Sequence, residues 1–294
     1  MGLYHNKKIA FLFIFPALLL MLVFIYYPIF QNFIYSMFRW SAFSSEKIFI
    51  GIDNYLRLFK DPVFYIALKN NLLYASFSIF FQVGLGLIIA AILEEKFLRK
   101  YQPFFRTVFF IPAIISITVA GLLWQLIYNP NIGIINEGLR AIGLDNLAHP
   151  WLADGKTAIF SVIVMSQWQY TGYIVLLFIV GIHKIPQELY ESAMIDGANS
   201  IQKFWTITVP QVKEMIIVSV TITIIGGFKV FDEVYVMTGG GPGRSTEVLS
   251  SFMYRSGFRN DEMGYAAAIA TIIFVITFLL TLLELKISHK KDEV

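Results

Sequence analysis

Lys229, Asp232 and Glu233 put one cation and two carboxylates at i, i+3 and i+4 inside an otherwise apolar stretch, Met215–Val236. On a helix that spacing makes a local ion pair. Turned toward an interior path, the Lys229 ammonium would instead attract an anion. A second polar group is longer. Glu188–Pro210, ELYESAMIDGANSIQKFWTITVP, is an amphipathic island between two apolar stretches. It predicts a short helix from Pro186 to Met194, a stop at Gly197 in a left-handed turn, and an aromatic-rich helix ending near Pro210. A third group is the glycine run Gly239-Gly240-Gly241, followed by Pro242 and Gly243. Bare backbone N–H groups can cradle a phosphate, but that use needs a preceding strand and a following Lys-Ser/Thr pair, and neither is present. The run reads as a tight turn. His5, His149, His183 and His289 fall in loops or at the ends of apolar stretches and read as solvated or interfacial. With no Cys, no His-Glu cluster and no Ser/His/Asp set, the chain offers no catalytic residue, no metal site and no cofactor seat of its own.

The elements that must position these residues are apolar. The chain is 57% hydrophobic and only 15% charged, where a soluble domain carries about a quarter charged residues. A helix needs about 20 apolar residues to cross a bilayer core. Ile9–Tyr27, Leu72–Leu93, Thr107–Ile127, Ala158–Ile182 and Gly264–Leu283 carry no charge, and Met215–Val236 carries charge only near one end. These predict an all-α polytopic membrane protein of six spans, at 9–35, 70–94, 106–128, 157–182, 212–237 and 264–286. Pro16 and Pro112 read as kinks, because neighbouring helices can re-satisfy the freed carbonyls. The first apolar stretch is too long for a cleaved leader, and no small-residue cleavage site follows it. The net charge of +3 is too small and dispersed to imply nucleic acid.

An even number of spans puts both termini on one side. With the termini inside, the inner segments hold twelve Lys and Arg, among them Lys96, Arg99, Lys100, Arg106, Lys184, Lys203, Lys213, Lys290 and Lys291. The outer segments hold ten, but they are longer. Density therefore favours cytoplasmic termini. It places 186–210 in the cytoplasm and 36–69, 129–156 and 238–263 outside.

The polar island resembles the cytoplasmic coupling loop of ATP-driven importer permeases, whose pattern is E-A-A, then D-G-A, then I-x-L-P. Here it stands as Glu191-Ser192-Ala193, Asp196-Gly197-Ala198 and Ile207-Thr208-Val209-Pro210. Thr238-Gly-Gly-Gly-Pro242 with Ser245-Thr246, Gly51-Ile52-Asp53-Asn54-Tyr55, Asn70-Asn71 and Gly264-Tyr265-Ala266-Ala267 are similar to the sugar-permease branch, which also contains maltose, lactose and glycerol-phosphate permeases. The match is to the larger-subunit type without its extra N-terminal helices and large outer domain. The resemblance implies a type I ABC importer permease architecture over a single transmembrane domain, 1–294, in a bacterial or archaeal cytoplasmic (inner) membrane. It implies import of a sugar or oligosaccharide by alternating access. The implied partners are a second six-helix permease in a heterodimer, two cytoplasmic ATPase subunits that use the ATP, and an extracellular or periplasmic solute-binding protein. This chain would then be no enzyme. Glu191, Ser192, Ala193, Asp196 and Gly197 would couple to the ATPase, with Glu191 offering a carboxylate and Ala193 and Gly197 allowing close approach. The alternative, an ion-coupled secondary carrier of sugars, usually buries charged groups near the midplane, and five of the six spans carry none.

A sugar needs flat aromatic faces and a few amides or hydroxyls. Aligned on Pro186, the family's sugar contacts fall on Gln169, Tyr170 and Tyr173, beside Trp168 and Thr171. Aligned on Thr238-Gly-Gly-Gly-Pro242, they fall on Thr223, Gly226, Gly227 and Val230. Lys229 joins them as a cation for an acidic sugar or phosphate.

Overall fold

In a computed structural model, which describes residues 7–289, the chain is almost entirely helical. Chain order begins with α1 (Phe11–Tyr35), a hairpin of β1 (Phe38–Trp40) and β2 (Lys47–Phe49), and α2 (Asp53–Leu58). Then come α3 (Pro62–Glu94), α4 (Arg99–Ile114), α5 (Ile117–Ile127), α6 (Ile134–Ala141) and α7 (Ala158–Ile182). Last are α8 (Gln187–Ile195), α9 (Ser200–Gln211), α10 (Lys213–Lys229), α11 (Asp232–Met237), α12 (Leu249–Tyr254) and α13 (Met263–Lys286). Among the described residues four helices, α1, α3, α7 and α13, are long and apolar enough to cross a membrane, and the number is up to six if each of the bent pairs α4–α5 and α9–α10 is one span. His5, Lys290 and Lys291 lie outside the described residues.

The structure departs from the expected spans at their breaks and starts. Span three is not merely kinked at Pro112: α4 and α5 meet at 98° across Ile115 and Ser116. The end of span five is divided too, since α10 stops at Lys229 and α11 restarts at Asp232. Span two starts at Pro62, so its first turns occupy what reads as outer loop.

The chain separates into two compact units, residues 1–62 with 252–274, and residues 63–251 with 275–294. In the first unit β1 and β2 pair antiparallel, with Phe38 opposite Phe49. Two motifs that are far apart in sequence meet there. Asn54, from the Gly-Ile-Asp-Asn-Tyr stretch, donates to the carbonyls of Ser36 (2.8 Å) and Phe38 (3.1 Å). Gly264, which opens the Gly-Tyr-Ala-Ala stretch, lies so close to the Phe38 carbonyl that a Cβ would collide with it. Arg57 grips Glu262 with two bonds of 2.7 and 2.9 Å, which hold its guanidinium above its ordinary pKa. Tyr265 donates to Asp61 at 3.1 Å.

In the second unit α7 is the central helix. It is apolar all round, with buried residues on every side, as expected of a helix surrounded by others. The second half of α3 and α4 pack on it, and α11 packs on α5. One core joins Tyr74, Tyr128, Ile163, Met165, Val230 and Val234. A second joins Val83, Leu87, Val175, Phe178, Ile179 and Val212. Gly172 lets α4 approach so closely that a Cβ there would strike the Phe109 carbonyl.

Candidate functional site

Two regions of the second unit hold the residues singled out by sequence. The first is α8–α9. Pro186 sits at the N-cap of α8, where its missing N–H costs nothing, and the helix runs one residue past the expected Met194. Gly197 ends it with φ +80. Ala198 N–H bonds to the Ala193 carbonyl at 2.8 Å, and Gly197 N–H bonds to that of Met194 at 3.1 Å. This pair of bonds is the Schellman closure that glycine permits. One residue later Asn199 caps α9: its side chain accepts from Gln202 N–H at 2.9 Å, and the Gln202 side chain accepts from Asn199 N–H at 2.8 Å. Tyr190 and Thr208 share a hydroxyl hydrogen bond of 2.9 Å that ties α8 to α9. Burial raises the Tyr190 phenol above its ordinary pKa, against the lowering effect of Thr208.

The platform faces outward. Glu191, Ser192, Asp196 and Gly197 are exposed and Ala193 is half-buried. Large apolar side chains are exposed with them: Ile195 at 88%, Ile201 at 72% and Trp205 at 63%. Nothing lies within 4 Å of a Cβ built on Gly197. Within this chain its requirement is therefore the left-handed backbone, not a tight contact. His183, at the end of α7, pairs with Glu94 at the end of α3, 2.6 Å apart. His149 likewise pairs with Asp154 at 2.8 Å. Asp154 is held below its ordinary pKa, first by the Lys156 backbone N–H and then by His149.

The second region is formed by α7 and the broken helices beside it. A break leaves carbonyls without helical partners, and in a bilayer core they must be satisfied by protein. Gln169 donates to the Ile115 carbonyl at the α4–α5 break, 2.9 Å away. Asn71 donates to the Gly227 carbonyl at 2.7 Å and accepts from Leu249 N–H at 2.8 Å. Gln125 donates to the carbonyls of Val236 (2.7 Å) and Met237 (3.1 Å) at the end of α11. Asn70 holds the segment after the glycine run through the carbonyls of Ser245 and Glu247, both at 2.8 Å. In that run Gly239, Gly240 and Gly243 have positive φ, so it is a turn of glycine backbone.

Each residue expected to touch substrate can now be placed. Gln169, Thr223, Gly227 and Val230 are buried. A Cβ on Gly227 would come within 2.9 Å of Ala75, so this glycine allows α10 to pack on α3. Tyr170 is half-buried, while Tyr173, Gly226 and Lys229 are exposed. The break at Val230 and Phe231 removes the i, i+4 geometry that would have paired Lys229 with Glu233 on one helix. Glu233 turns inward instead. It is 7% exposed and accepts from the Tyr74 hydroxyl at 3.3 Å. Tyr74, Gln125 and the bridging roles of Asn70 and Asn71 were not read from the sequence. The available signal was amides in an apolar span, which must find partners.

Residues 82–290 match the family model described as binding-protein-dependent transport system inner membrane component. The chain belongs to that family. Among relatives, it is 58% identical over 282 residues to the probable ABC transporter permease protein YurN of Bacillus subtilis, covering 96% of each chain. It is 36% identical over 289 residues to the arabinooligosaccharides transport system permease protein AraP of the same species, covering 97% of this chain and 90% of that one. Among solved structures it superposes on a chain of a bacterial ABC transporter involved in import of the acidic polysaccharide alginate. That match has a TM-score of 0.83 and 25% identity, and covers 97% of this chain and 96% of the other. The permease thus has the type I ABC importer fold expected from its loop motif, and it is an inner-membrane transport component. The secondary-carrier alternative is not favoured.

Proposed function

We propose that this permease is one half of a heterodimeric pore, with residues 1–294 acting as one permease domain that imports a sugar or oligosaccharide handed over by an external binding protein. ATP is bound and hydrolysed on two separate cytoplasmic subunits, and this chain holds no cofactor. The observation that carries the reading is the α8–α9 platform. The first short helix closes on a left-handed glycine and the second opens on the Asn199 capping box, and they present Glu191 beside exposed Ile195, Ile201 and Trp205. An exposed apolar patch rimmed by carboxylates suits a protein groove with basic residues. The lysines and arginines at this end put the platform and both termini in the cytoplasm. Names among the relatives support a carbohydrate as cargo, from arabinooligosaccharides to alginate.

In this reading Tyr170, Tyr173, Gly226 and Lys229 meet the cargo, while Gln169, Thr223, Gly227 and Val230 shape the wall behind them. Closure of the ATPase pair moves the platform and the helices joined to it, and so biases the pore between its two faces. The test is reconstitution of the full complex in liposomes with its binding protein. Uptake should require ATP, and Glu191→Lys should weaken retention of the ATPase by charge reversal. Sugar movement by this chain alone, without ATP, would sink the proposal.

A further inference from the structure

The end of α7 remote from the α8–α9 platform borders a cavity of about 260 Å³. Phe160, Ser161 and Val164 line it from the first two turns of α7. Tyr128, which follows α5, and Ile135 of α6 line it from the other side, with Trp151 and Thr157 of the segment that leads into α7. Aromatic rings suit a sugar only when polar groups converge with them. Here every donor on the lining side chains is already used inside the protein. The Tyr128 hydroxyl donates to the Ser161 carbonyl at 3.3 Å, and the Trp151 indole N–H to the Asn136 side-chain oxygen at 2.8 Å. The Thr157 hydroxyl donates to the Trp151 carbonyl at 2.9 Å, and the Ser161 hydroxyl to the Thr157 carbonyl at 3.1 Å. Walls of this kind suit neither a sugar nor water. An apolar cavity of about 150 Å³ is already enough to stay dry and take up a small hydrocarbon.

The mouth of the cavity is on the bilayer side. Tyr128 is 5% exposed, whereas Phe160 and Val164 are 41% and 49% exposed. With Trp168 they recur every four residues, as one exposed stripe along a membrane span. Tyr173 is nine residues past Val164, about two and a half turns, and so points to the opposite side of α7. The stripe therefore faces away from the pore and toward lipid, a step that rests on the reading of Tyr173 as a cargo contact. Tyr128 and Trp151 lie with ring centroids 6.4 Å apart near the ends of two spans, where such rings border the headgroups.

We propose that this cavity holds an acyl chain of a membrane phospholipid, in the leaflet away from the α8–α9 platform. The probe is a phosphatidylglycerol with a diazirine midway along one acyl chain, in nanodiscs that hold the assembled complex. After irradiation, adducts are mapped by peptide mass spectrometry. Tyr128 and Trp151 should be labelled together with Phe160 and Val164. Val164→Trp narrows the mouth and should abolish the Tyr128 adduct while that on Phe160 persists. Ile135→Trp fills the cavity from α6 and should do the same, and it carries the test if Val164→Trp does not assemble. Adducts on Phe160 and Val164 alone would mean that lipid passes the mouth without entering, and would overturn the proposal. So would a Tyr128 adduct unchanged in the filled variants. Absence of adducts at all four residues would mean that the second permease or the binding protein covers this face, which overturns it too and leaves the importer reading standing.

Discussion

The α8–α9 joint and the α10–α11 break interrupt helices in opposite ways. At the joint the cause is local and visible in residue type. Gly197 takes a left-handed φ, Asn199 caps the next helix, and the side chains point outward. At the break no proline intervenes, and Val230 and Phe231 are ordinary helix-compatible apolar residues. There the chain turns because a distant amide, Asn71, accepts the task of satisfying the carbonyl it frees. One interruption is specified by its own residues and the other by its neighbours. Damage should follow that division. Changes at the break should cost stability first, and changes at the joint should cost coupling first.

The largest effect is expected at the close approach that α7 needs. Gly172→Val puts a side chain into the Phe109 carbonyl and should abolish assembly, measured as loss of the monodisperse complex in detergent. Next is Asn71→Leu. It strands the Gly227 carbonyl and the Leu249 N–H together, at about 1–3 kcal/mol for each buried orphan. Gln169→Leu strands only the Ile115 carbonyl and should cost about half as much. Thermal unfolding of the two variants in nanodiscs checks the ratio, and equal losses would mean that the number of orphans does not set the cost. Gly197→Val comes third, with strain of about 1–2 kcal/mol at the left-handed residue. Its midpoint should fall little, but the ATPase should no longer copurify, whereas Gly197→Asn, which tolerates left-handed backbone, should keep it. Should Gly197→Val melt the pore while retaining the ATPase, the division between the two regions fails. Asn199→Ala is the mildest, at about 1 kcal/mol or less from the lost cap, visible as faster amide exchange in α9 alone.

This division also explains what the sequence made legible. The length and charge of the apolar stretches were enough for a polytopic helical protein, with four to six spans in the structure, and Glu191 through Pro210 were enough for the platform, because each signal is carried by adjacent residues. Gly51–Tyr55, Asn70-Asn71 and Gly264–Ala267 were recognisable as motifs, but their purpose was not. Asn54 and Gly264 both converge on the Phe38 carbonyl, more than 200 residues apart from each other in sequence, and no local pattern carries that pairing. The same holds for Glu233. Its i, i+4 spacing from Lys229 pointed to a helical ion pair, and only the break, which depends on α3, sends the carboxylate inward to Tyr74.

The short joint between α8 and α9 has a mechanical consequence. From Asp196 to Asn199 each N–H is bonded: Asp196 to Ser192, Gly197 to Met194, Ala198 to Ala193 and Asn199 to the Gln202 side chain. A joint closed in this way has little slack. Pushing on α8 cannot be absorbed by uncoiling the joint until one of those bonds breaks, so the two helices turn as a bell crank with Tyr190–Thr208 as its brace. The length of the stroke delivered to the pore is then set by whatever moves the platform, and the platform itself contributes almost no compliance.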